Sequence, residues 1–422
     1  MNESAAATSK SSALTRKLAP VLGALAMLGP FSIDTIFPAF PQLGAQFGAD
    51  KLAMQQTISA YLLAYALMSV VHGPLSDALG RRRVILAGLA VFGIASVGCA
   101  LANSLPTLLA FRVLQGLSAG VGLIVGRAVV RDVLHGDDAQ RLMSQVSMIF
   151  GVAPAVAPII GAWLLGWARW PAIFWFLALF ALAMIAAVLW RLPETHAPAA
   201  RQPLRIAPML GGYAAMLGDA RFVRLAFAGS FNFAALFLYI ASAPALVIEH
   251  LKLGQNGFAW FFVPMIGGMM IGAFASGRMA GRVGGMAQVR IGFACCGLAV
   301  LANLAYHAWT DSPTVLPTVL PVALNSFGIA LVFPILTLAI LDMFPQSRGA
   351  ASSMQAFISL LLNAAVAGLL SPWLSDDLFR LALAAGALSL LAWLLWRWEM
   401  RVHARRLRCP VAPAALEPTD EL

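Results

Sequence analysis

Two ionisable residues lie inside apolar runs that are long enough to cross a lipid bilayer. Asp34 stands within the run from Leu18 to Phe40, and Arg112 stands within another run that begins at Leu105. A carboxylate at the bilayer centre costs at least about 2.5–3.5 kcal/mol. At about 1.5 Å of rise per helical residue, the two side chains reach a similar depth. Such residues can hold a proton or bind a charged ligand if they face the interior of a helix bundle.

We therefore predict that Asp34 and Arg112 line a central cavity and interact, either directly or through Gln115 or a water molecule. In the functional hypothesis, a proton and a ligand compete for the Asp34 carboxylate and are thereby exchanged. In the alternative, the two residues form a structural ion pair that locks the first predicted helix against the fourth. Buried ion pairs stabilise a fold less well than apolar packing does, which favours the functional hypothesis.

The composition excludes a soluble protein and shows no spacing typical of a metal site. Of the 422 residues, 60% are hydrophobic and 11% are charged, whereas a soluble domain carries about 25% charged residues. Among the four cysteines, Cys295 and Cys296 are adjacent, and the six histidines are scattered, so neither type shows ligand spacing. We expect no metal and no cofactor, with protons as the coupling ion.

Apolar windows of about 20 residues, the length that spans a bilayer, predict an all-α integral membrane protein with twelve transmembrane helices. The polar stretch 192–222 separates two six-helix halves, 18–191 and 223–398, and the tails are 1–17 and 399–422. The predicted spans are 18–40, 54–75, 84–103, 105–128, 142–166, 170–190, 223–247, 257–280, 287–308, 316–341, 350–372 and 379–398.

The two halves resemble each other, and the basic residues are distributed unevenly between the two sides. "HGPLSDALGRRRV" follows the second predicted span, and "SGRMAGRVGG" follows the eighth. Pseudo-symmetric halves with a binding site between them are typical of transporters.

Of the 28 lysines and arginines, only Lys51, Arg169, Lys252 and Arg380 lie on the side opposite the N-terminus. Because cytoplasmic loops carry the excess of basic residues, we predict a multi-pass inner (plasma) membrane protein with both termini in the cytoplasm. The net charge of +10 then requires no nucleic acid partner.

Three motifs carry a resemblance to the major facilitator superfamily. "GPLSDALGRRR" (Gly73 to Arg83) is similar to the motif of its loop between helices 2 and 3, and "RVLQG" (Arg112 to Gly116) resembles its helix 4 motif. "GVAPAVAPIIGAW" (Gly151 to Trp163) resembles the helix 5 motif of its antiporters, although Ala157-Pro158 replaces the usual Gly-Pro. "LGPFSIDTIFPAFP", "GRAVVRD", "LPET" and "YIASAPALVIE" resemble the Bcr/CflA drug-resistance branch of the drug:H+ antiporters.

The resemblance implies a conformational gate in the loop after the second span, built from Gly73, Asp77, Gly80 and Arg81. In the family the acid faces the start of helix 11, and the arginine pairs with an acid below helix 4, which here matches Asp132. These contacts are expected in the conformation in which the transporter is closed on the side of the membrane where this loop lies. The adjacent arginines are equally compatible with simple anchors of membrane topology.

The motif on the fifth span is expected to shape helix contact and closure rather than to do chemistry. It places Gly151, Pro154, Pro158 and Gly161 along one helix, and an internal proline bends a helix axis. Plain helix packing is the alternative explanation for the same residues. Small residues allow membrane helices to approach each other closely.

An apolar, aromatic lining with few polar groups suits amphipathic ligands of varied shape. The alternative for each aromatic residue is contact with lipid or simple packing. The candidate cavity residues are Tyr61, Tyr65, Met148, Asn232, Phe233, Tyr239, Trp260, Phe261, Asn325 and Asn363.

The resemblance and the buried charges together predict a proton-coupled antiporter that exports drug-like or small amphipathic molecules by alternating access. Its partners are then such small molecules and the lipid bilayer, and we expect a monomer. One alternative is a secondary transporter of a defined metabolite, such as an amino acid or a nucleoside. The other is an integral-membrane enzyme or channel, although no nucleophile, base and orienting group cluster at one depth. We expect no enzymatic activity.

Overall fold

The computed structural model describes residues 18–134, 136–201, 205–280, 282–310 and 312–408, which contain helices and no strand. Twelve helices in these ranges are long and apolar enough to cross a membrane, which confirms the predicted fold class. They are, as α1 to α12, Leu18–Phe47, Lys51–Leu79, Arg81–Ala100, Leu105–Val133, Gln145–Trp167, Pro171–Arg191, Ala220–Ala241, Gln255–Met279, Gly285–Trp309, Val315–Met343, Arg348–Leu374 and Leu378–Arg405.

The second helix is longer than predicted, and the predicted loop after it is almost absent. Helix α2 runs from Lys51 to Leu79, so Gly73 and Asp77 lie within the helix rather than in a loop. Gly80 alone separates α2 from α3, with a φ of 99°. A backbone with this φ is readily adopted by glycine and is strained for a residue with a Cβ. The turn between the helices therefore requires glycine at this position.

The first helix is not continuous, and Asp34 lies at its break. An α-helical segment ends at Asp34, a 3-10 turn covers Phe37–Ala39, and α-helix resumes over Phe40–Phe47. Proline contributes to the break because it lacks the N–H that a regular helix needs, and Pro38 and Pro41 both lie here. The carboxylate is therefore attached to the last residue of a regular segment, directly before irregular backbone, which membrane proteins tolerate where it is enclosed by protein.

The two halves are tied together on the side opposite to the start of α1. We call this the opposite side, and we call the side where α1 begins and α12 ends the termini side. Lys51 Nζ forms ion pairs with Glu249, at 2.7 Å, and with Asp376. Deeper in the bundle, the ring of Phe37 stacks on that of Phe262 at 6.4 Å. These contacts join α1 and α2 to the second half of the chain.

Helices α1 and α7 lie at the centre of the bundle. In each, 78% of the most apolar window is buried, more than in any other span. Each nevertheless has a stripe of partly accessible residues towards the termini side. The stripe residues are Pro20, Ala24 and Met27 on α1, and Val223, Phe227 and Phe231 on α7.

The predicted polar linker 192–222 contains ordered structure. A helix covers Ile206–Gly218, and we call it the connecting helix. Helix α12 continues as helix to Arg408, so the first part of the predicted C-terminal tail 399–422 is helical. The predicted N-terminal tail 1–17 and the rest of the C-terminal tail lie outside the described residues.

Candidate functional site

Arg112 is fully enclosed and joins three helices through its guanidinium group. Its Nε donates a hydrogen bond to the carbonyl oxygen of Thr57 at 3.0 Å. Its Nη1 donates to the carbonyl oxygen of Ser32 at 3.0 Å, to the Ser32 hydroxyl at 2.7 Å and to Gln115 Oε1 at 2.8 Å. Helices α1, α2 and α4 thus meet at one cation, whose planar fork of donors suits several acceptors at once.

Glycines on α4 bring α2 close enough for this arrangement. A Cβ at Gly116 would overlap the carbonyl oxygen of Tyr61, so only glycine fits there. The Tyr61 ring consequently lies 4.5 Å from the guanidinium carbon of Arg112, a distance at which the face of the ring attracts a cation. Tyr65 packs one turn further along, with a ring carbon 3.0 Å from where a Cβ at Gly120 would lie.

Gln115 extends the network to α3 and not towards Asp34. Its Nε2 donates to Ser96 Oγ at 2.8 Å, while its Oε1 accepts from Arg112. Both functional groups of the buried amide are therefore used, which removes the cost of an unsatisfied polar group. The sequence prediction that Gln115 links Asp34 to Arg112 is not supported by this geometry.

Asp34 is 4% exposed and makes neither a hydrogen bond nor an ion pair with any described residue. No basic nitrogen in the described ranges lies within 4.0 Å of its carboxylate, so the predicted direct contact with Arg112 is wrong for this conformation. Arg112 binds Ser32 instead, two residues earlier on α1. The second terminal nitrogen of Arg112, Nη2, also has no partner among the described residues. An acid and one arm of a cation thus both remain available in the same region.

Helix α5 packs directly on the break in α1, but through only one of the predicted motif glycines. A Cβ at Gly161 would overlap the carbonyl oxygen of Thr35. At Gly151, by contrast, nothing lies within 4 Å. Pro154 and Pro158 lie inside the helix. The helix-contact role therefore applies to Gly161 and not to Gly151.

The arginine of the predicted gate pairs with Asp132, as the resemblance implied, and also with Asp77, which it did not imply. Arg81 contacts Asp77 at 2.5 Å and Asp132 at 3.0 Å, and it also donates to Ser76 Oγ at 2.6 Å. The partner of Asp77 in this conformation is therefore Arg81 and not the start of α11. A Cβ added at Gly73 would meet nothing within 4 Å. The gating role of this cluster stays a prediction.

Sequence reasoning missed two residues of this cluster, although it quoted the segment that carries them. Glu194, from "LPET" after α6, accepts a hydrogen bond from the backbone N–H of Arg81 at 2.9 Å. The hydroxyl of Thr195 donates to Asp132 at 3.0 Å. An acid at the first turn of α3 is favoured by the helix dipole. A polar Glu-Thr pair directly after an apolar span was the available signal.

Two predicted cavity residues face the lipid side of the bundle instead. Met148 is 61% exposed, on a stripe of α5 that continues to Trp163, which is 62% exposed. Trp260 is 60% exposed, on a stripe of α8 that continues to Phe274, which is 67% exposed. Each stripe runs along the length of its helix. It includes the opposite side, where the contacts described above join the two halves. The prediction that Met148 and Trp260 line the cavity is therefore wrong.

Two other predicted cavity residues, Tyr239 and Asn232, point into the second half itself. The hydroxyl of Tyr239 accepts a hydrogen bond from Asn303 on α9 at 2.8 Å. Asn232 lies two turns earlier on the same face of α7, and both polar atoms of its side chain are buried without a partner in the described ranges. The placements of Tyr239 and Asn232 contradict the predicted lining role. The backbone carbonyl oxygen of Asn325 accepts from the Cys296 thiol on α9 at 3.7 Å, while its side-chain oxygen is buried without a partner in the described ranges.

The remaining candidates lie nearer to the boundary between the halves. Phe233 contacts Phe333, with ring centroids 6.5 Å apart, and Phe333 is 37% exposed. Phe261 is fully buried, and its ring centroid lies 5.0 Å from that of Phe262. Phe262 is the residue whose ring stacks on Phe37 of α1. Asn363 precedes Ala364 on α11, whose carbonyl oxygen accepts from Ser59 of α2 at 2.9 Å.

Twelve membrane-spanning helices around a central buried acid and arginine define a secondary-transporter architecture. The Major Facilitator Superfamily profile matches residues 22–367, and the chain belongs to this superfamily.

Two relatives and one solved structure illustrate the relationship. The bicyclomycin resistance protein homolog of Haemophilus influenzae is 29% identical over 65% of this chain and 69% of its own length. Multidrug resistance protein D of Escherichia coli is 27% identical over 78% of this chain and 82% of its own length. A crystal structure of a D-xylose-proton symporter aligns with a TM-score of 0.73 and 15% identity, covering 90% of this chain and 97% of the symporter.

Proposed function

We propose that this transporter exports drug-like or small amphipathic molecules in exchange for protons, by alternating access. One observation carries the proposal: Asp34 is buried and without a partner among the described residues, at a break in α1 beside the enclosed Arg112. Buried acids of this kind in membrane proteins mark ion and proton pathways. The relatives named for bicyclomycin resistance and multidrug resistance support the substrate class.

In the proposed cycle, Asp34 carries a proton in the conformation described here. An ionised carboxylate without a partner is costly in a low-dielectric interior, and no basic nitrogen of the described residues lies within 4.0 Å of this carboxylate. A rearrangement that brings the second terminal nitrogen of Arg112, or a cationic ligand, against the carboxylate stabilises its ionised form and expels the proton. Export then draws on the membrane potential, worth about 2.3 kcal/mol per charge per 100 mV.

We further propose that the protein resides in the inner (plasma) membrane, with the termini side facing the cytoplasm. The concentration of basic residues on that side supports this orientation. The proposal also holds that the protein works as a monomer, without enzymatic activity, nucleic acid or a cofactor other than the coupling proton. Its partners are amphipathic small molecules and lipid.

The test is transport by the purified protein in liposomes with an imposed pH gradient. Candidate amphipathic substrates are first found from drug susceptibility and accumulation in an efflux-deficient host. Asp34→Asn is expected to abolish proton-driven transport while the protein still folds. Asp342→Asn is the matched control, because the Asp342 side chain is 72% exposed and makes one long ion pair, at 3.7 Å.

Uphill transport of a neutral substrate by the Asp34→Asn variant would refute the single-carboxylate mechanism. Transport that survives collapse of the gradient by a protonophore would refute proton coupling. Unchanged susceptibility to all amphipathic drugs would instead favour a defined metabolite as the substrate.

A further inference from the structure

The connecting helix has an apolar composition, which is unfavourable in water. Residues Ile206–Gly218, "IAPMLGGYAAMLG", contain no charged side chain. The helix has 13 residues and is therefore only about 20 Å long, too short to cross a hydrocarbon core of about 30 Å. A helix that is apolar on all sides needs an apolar environment on all sides.

One face of the connecting helix is covered by the protein. Tyr213 and Met216 are 5% and 3% exposed and pack into the core of the second half. The hydroxyl of Tyr213 donates a hydrogen bond to the carbonyl oxygen of Val70 on α2 at 2.9 Å. Burial raises the pKa of this phenol, so it remains a neutral donor at physiological pH. The helix thus contacts both halves of the transporter.

The other face is apolar and has no covering element in the described structure. Leu210 is 55% exposed and Leu217 is 46% exposed, and Ala214 between them is also exposed. The spacing of these three residues, i, i+4 and i+7, puts them on one side of a helix.

The neighbourhood of this face is that of a membrane surface. The chain passes from the connecting helix into the span α7 after a single residue, Asp219, whose carboxylate caps α7 at the N–H of Arg221, at 2.7 Å. The helix therefore lies at the level where α7 enters the bilayer. Arg205, exposed directly before the helix, places a cation at the same level. Arginine side chains at such positions reach lipid phosphates while their stems lie along apolar surface.

We propose that the connecting helix is an interfacial helix that docks on the lipid bilayer, with Leu210, Ala214 and Leu217 in the acyl–headgroup boundary of the termini-side leaflet. Interfacial helices bury their apolar face by roughly 5–10 Å in this zone. A second copy of the chain is a poorer occupant, because one helix face with two large side chains offers much less than the about 800 Å² per partner of a stable interface.

The test measures the depth of nitroxide labels in nanodiscs that contain phosphatidylethanolamine and phosphatidylglycerol. The four native cysteines are first replaced by serine, and Leu210→Cys and Leu217→Cys are then labelled singly. Arg205→Cys, at the level of the polar headgroups, is the polar control, and Leu179→Cys, at a position 64% exposed on the span α6, is the lipid control. Collisions with oxygen report lipid, and collisions with a nickel chelate report water.

The proposal expects oxygen to dominate at positions 210 and 217, at a depth shallower than position 179, and the chelate to dominate at 205. Dominance of the chelate at both 210 and 217 would overturn it. Protection from both reagents, present in crowded vesicles and absent in nanodiscs with one copy each, would assign the face to a second copy and also overturn it. None of these readouts depends on transport, so the result is independent of the proposed export function.

Discussion

Replacement of Gly161 by alanine tests how the contact between α5 and α1 supports the site. The added Cβ would overlap the carbonyl oxygen of Thr35 and lie 3.0 Å from the carbonyl carbon and 3.2 Å from the Cα. These are backbone atoms, one residue after Asp34, and cannot rotate away as a flexible side chain would. The two helices must therefore separate at the break that carries the carboxylate.

The size of the effect follows from the known cost of overpacking. An extra methyl group in a tightly packed interior costs about 1–3 kcal/mol. Each kcal/mol lowers the unfolding midpoint of a domain of roughly 150–250 residues by about 2–4 °C. One half of this chain is of that size, so we expect the midpoint to fall by roughly 2–12 °C. We also expect proton-driven transport to fall, because α1 is displaced beside Asp34.

Thermal unfolding followed by fluorescence-detected size-exclusion chromatography measures the first effect, and flux into liposomes measures the second. Gly151→Ala is the matched control, because it lies on the same helix and its new Cβ meets nothing within 4 Å. Alanine is the better helix former by about 1 kcal/mol, so the control should keep or raise the midpoint. Equal behaviour of the two variants would refute the close contact as the reason for glycine at Gly161.

Three further substitutions follow from the ion pairs and hydrogen bonds. Arg112→Lys is expected to abolish transport and to lower the unfolding midpoint. One ammonium group cannot replace a guanidinium that binds three helices, and each buried acceptor left without a donor costs about 1–3 kcal/mol. Unchanged flux would contradict this. Lys51→Gln removes two partly exposed ion pairs, each worth about 0.2–1 kcal/mol. Spin-label distances across the opposite side should therefore show that the ratio of states shifts by at most roughly thirty-fold, whereas Lys252→Gln should leave the ratio unchanged. Asp132→Asn weakens the hold on Arg81 and should increase cysteine labelling from the termini side; no change in labelling would exclude this contact from the gate.

The number of spans and the two buried ionisable residues were predictable from the sequence alone. The thickness of the bilayer imposes about 20 apolar residues on every crossing helix, so the twelve windows appear in the sequence without knowledge of packing. Buried charge is rare and costly in lipid, so Asp34 and Arg112 stood out in the same way. The helix ends were less accurate, because helices such as α2 extend beyond the apolar core into the interfacial zone.

The direction in which each side chain points emerged only from the tertiary structure. In a soluble protein the apolar face of a helix marks its core, but lipid is as apolar as the core of a membrane bundle. Met148 and Trp260 on the lipid side therefore have the same sequence signature as Phe261 inside the bundle. The partners of Arg112 were equally hidden, because Ser32 and Thr57 bind it partly through backbone oxygens, and every residue carries one. Only the approach of three helices determined which of these oxygens the guanidinium reaches.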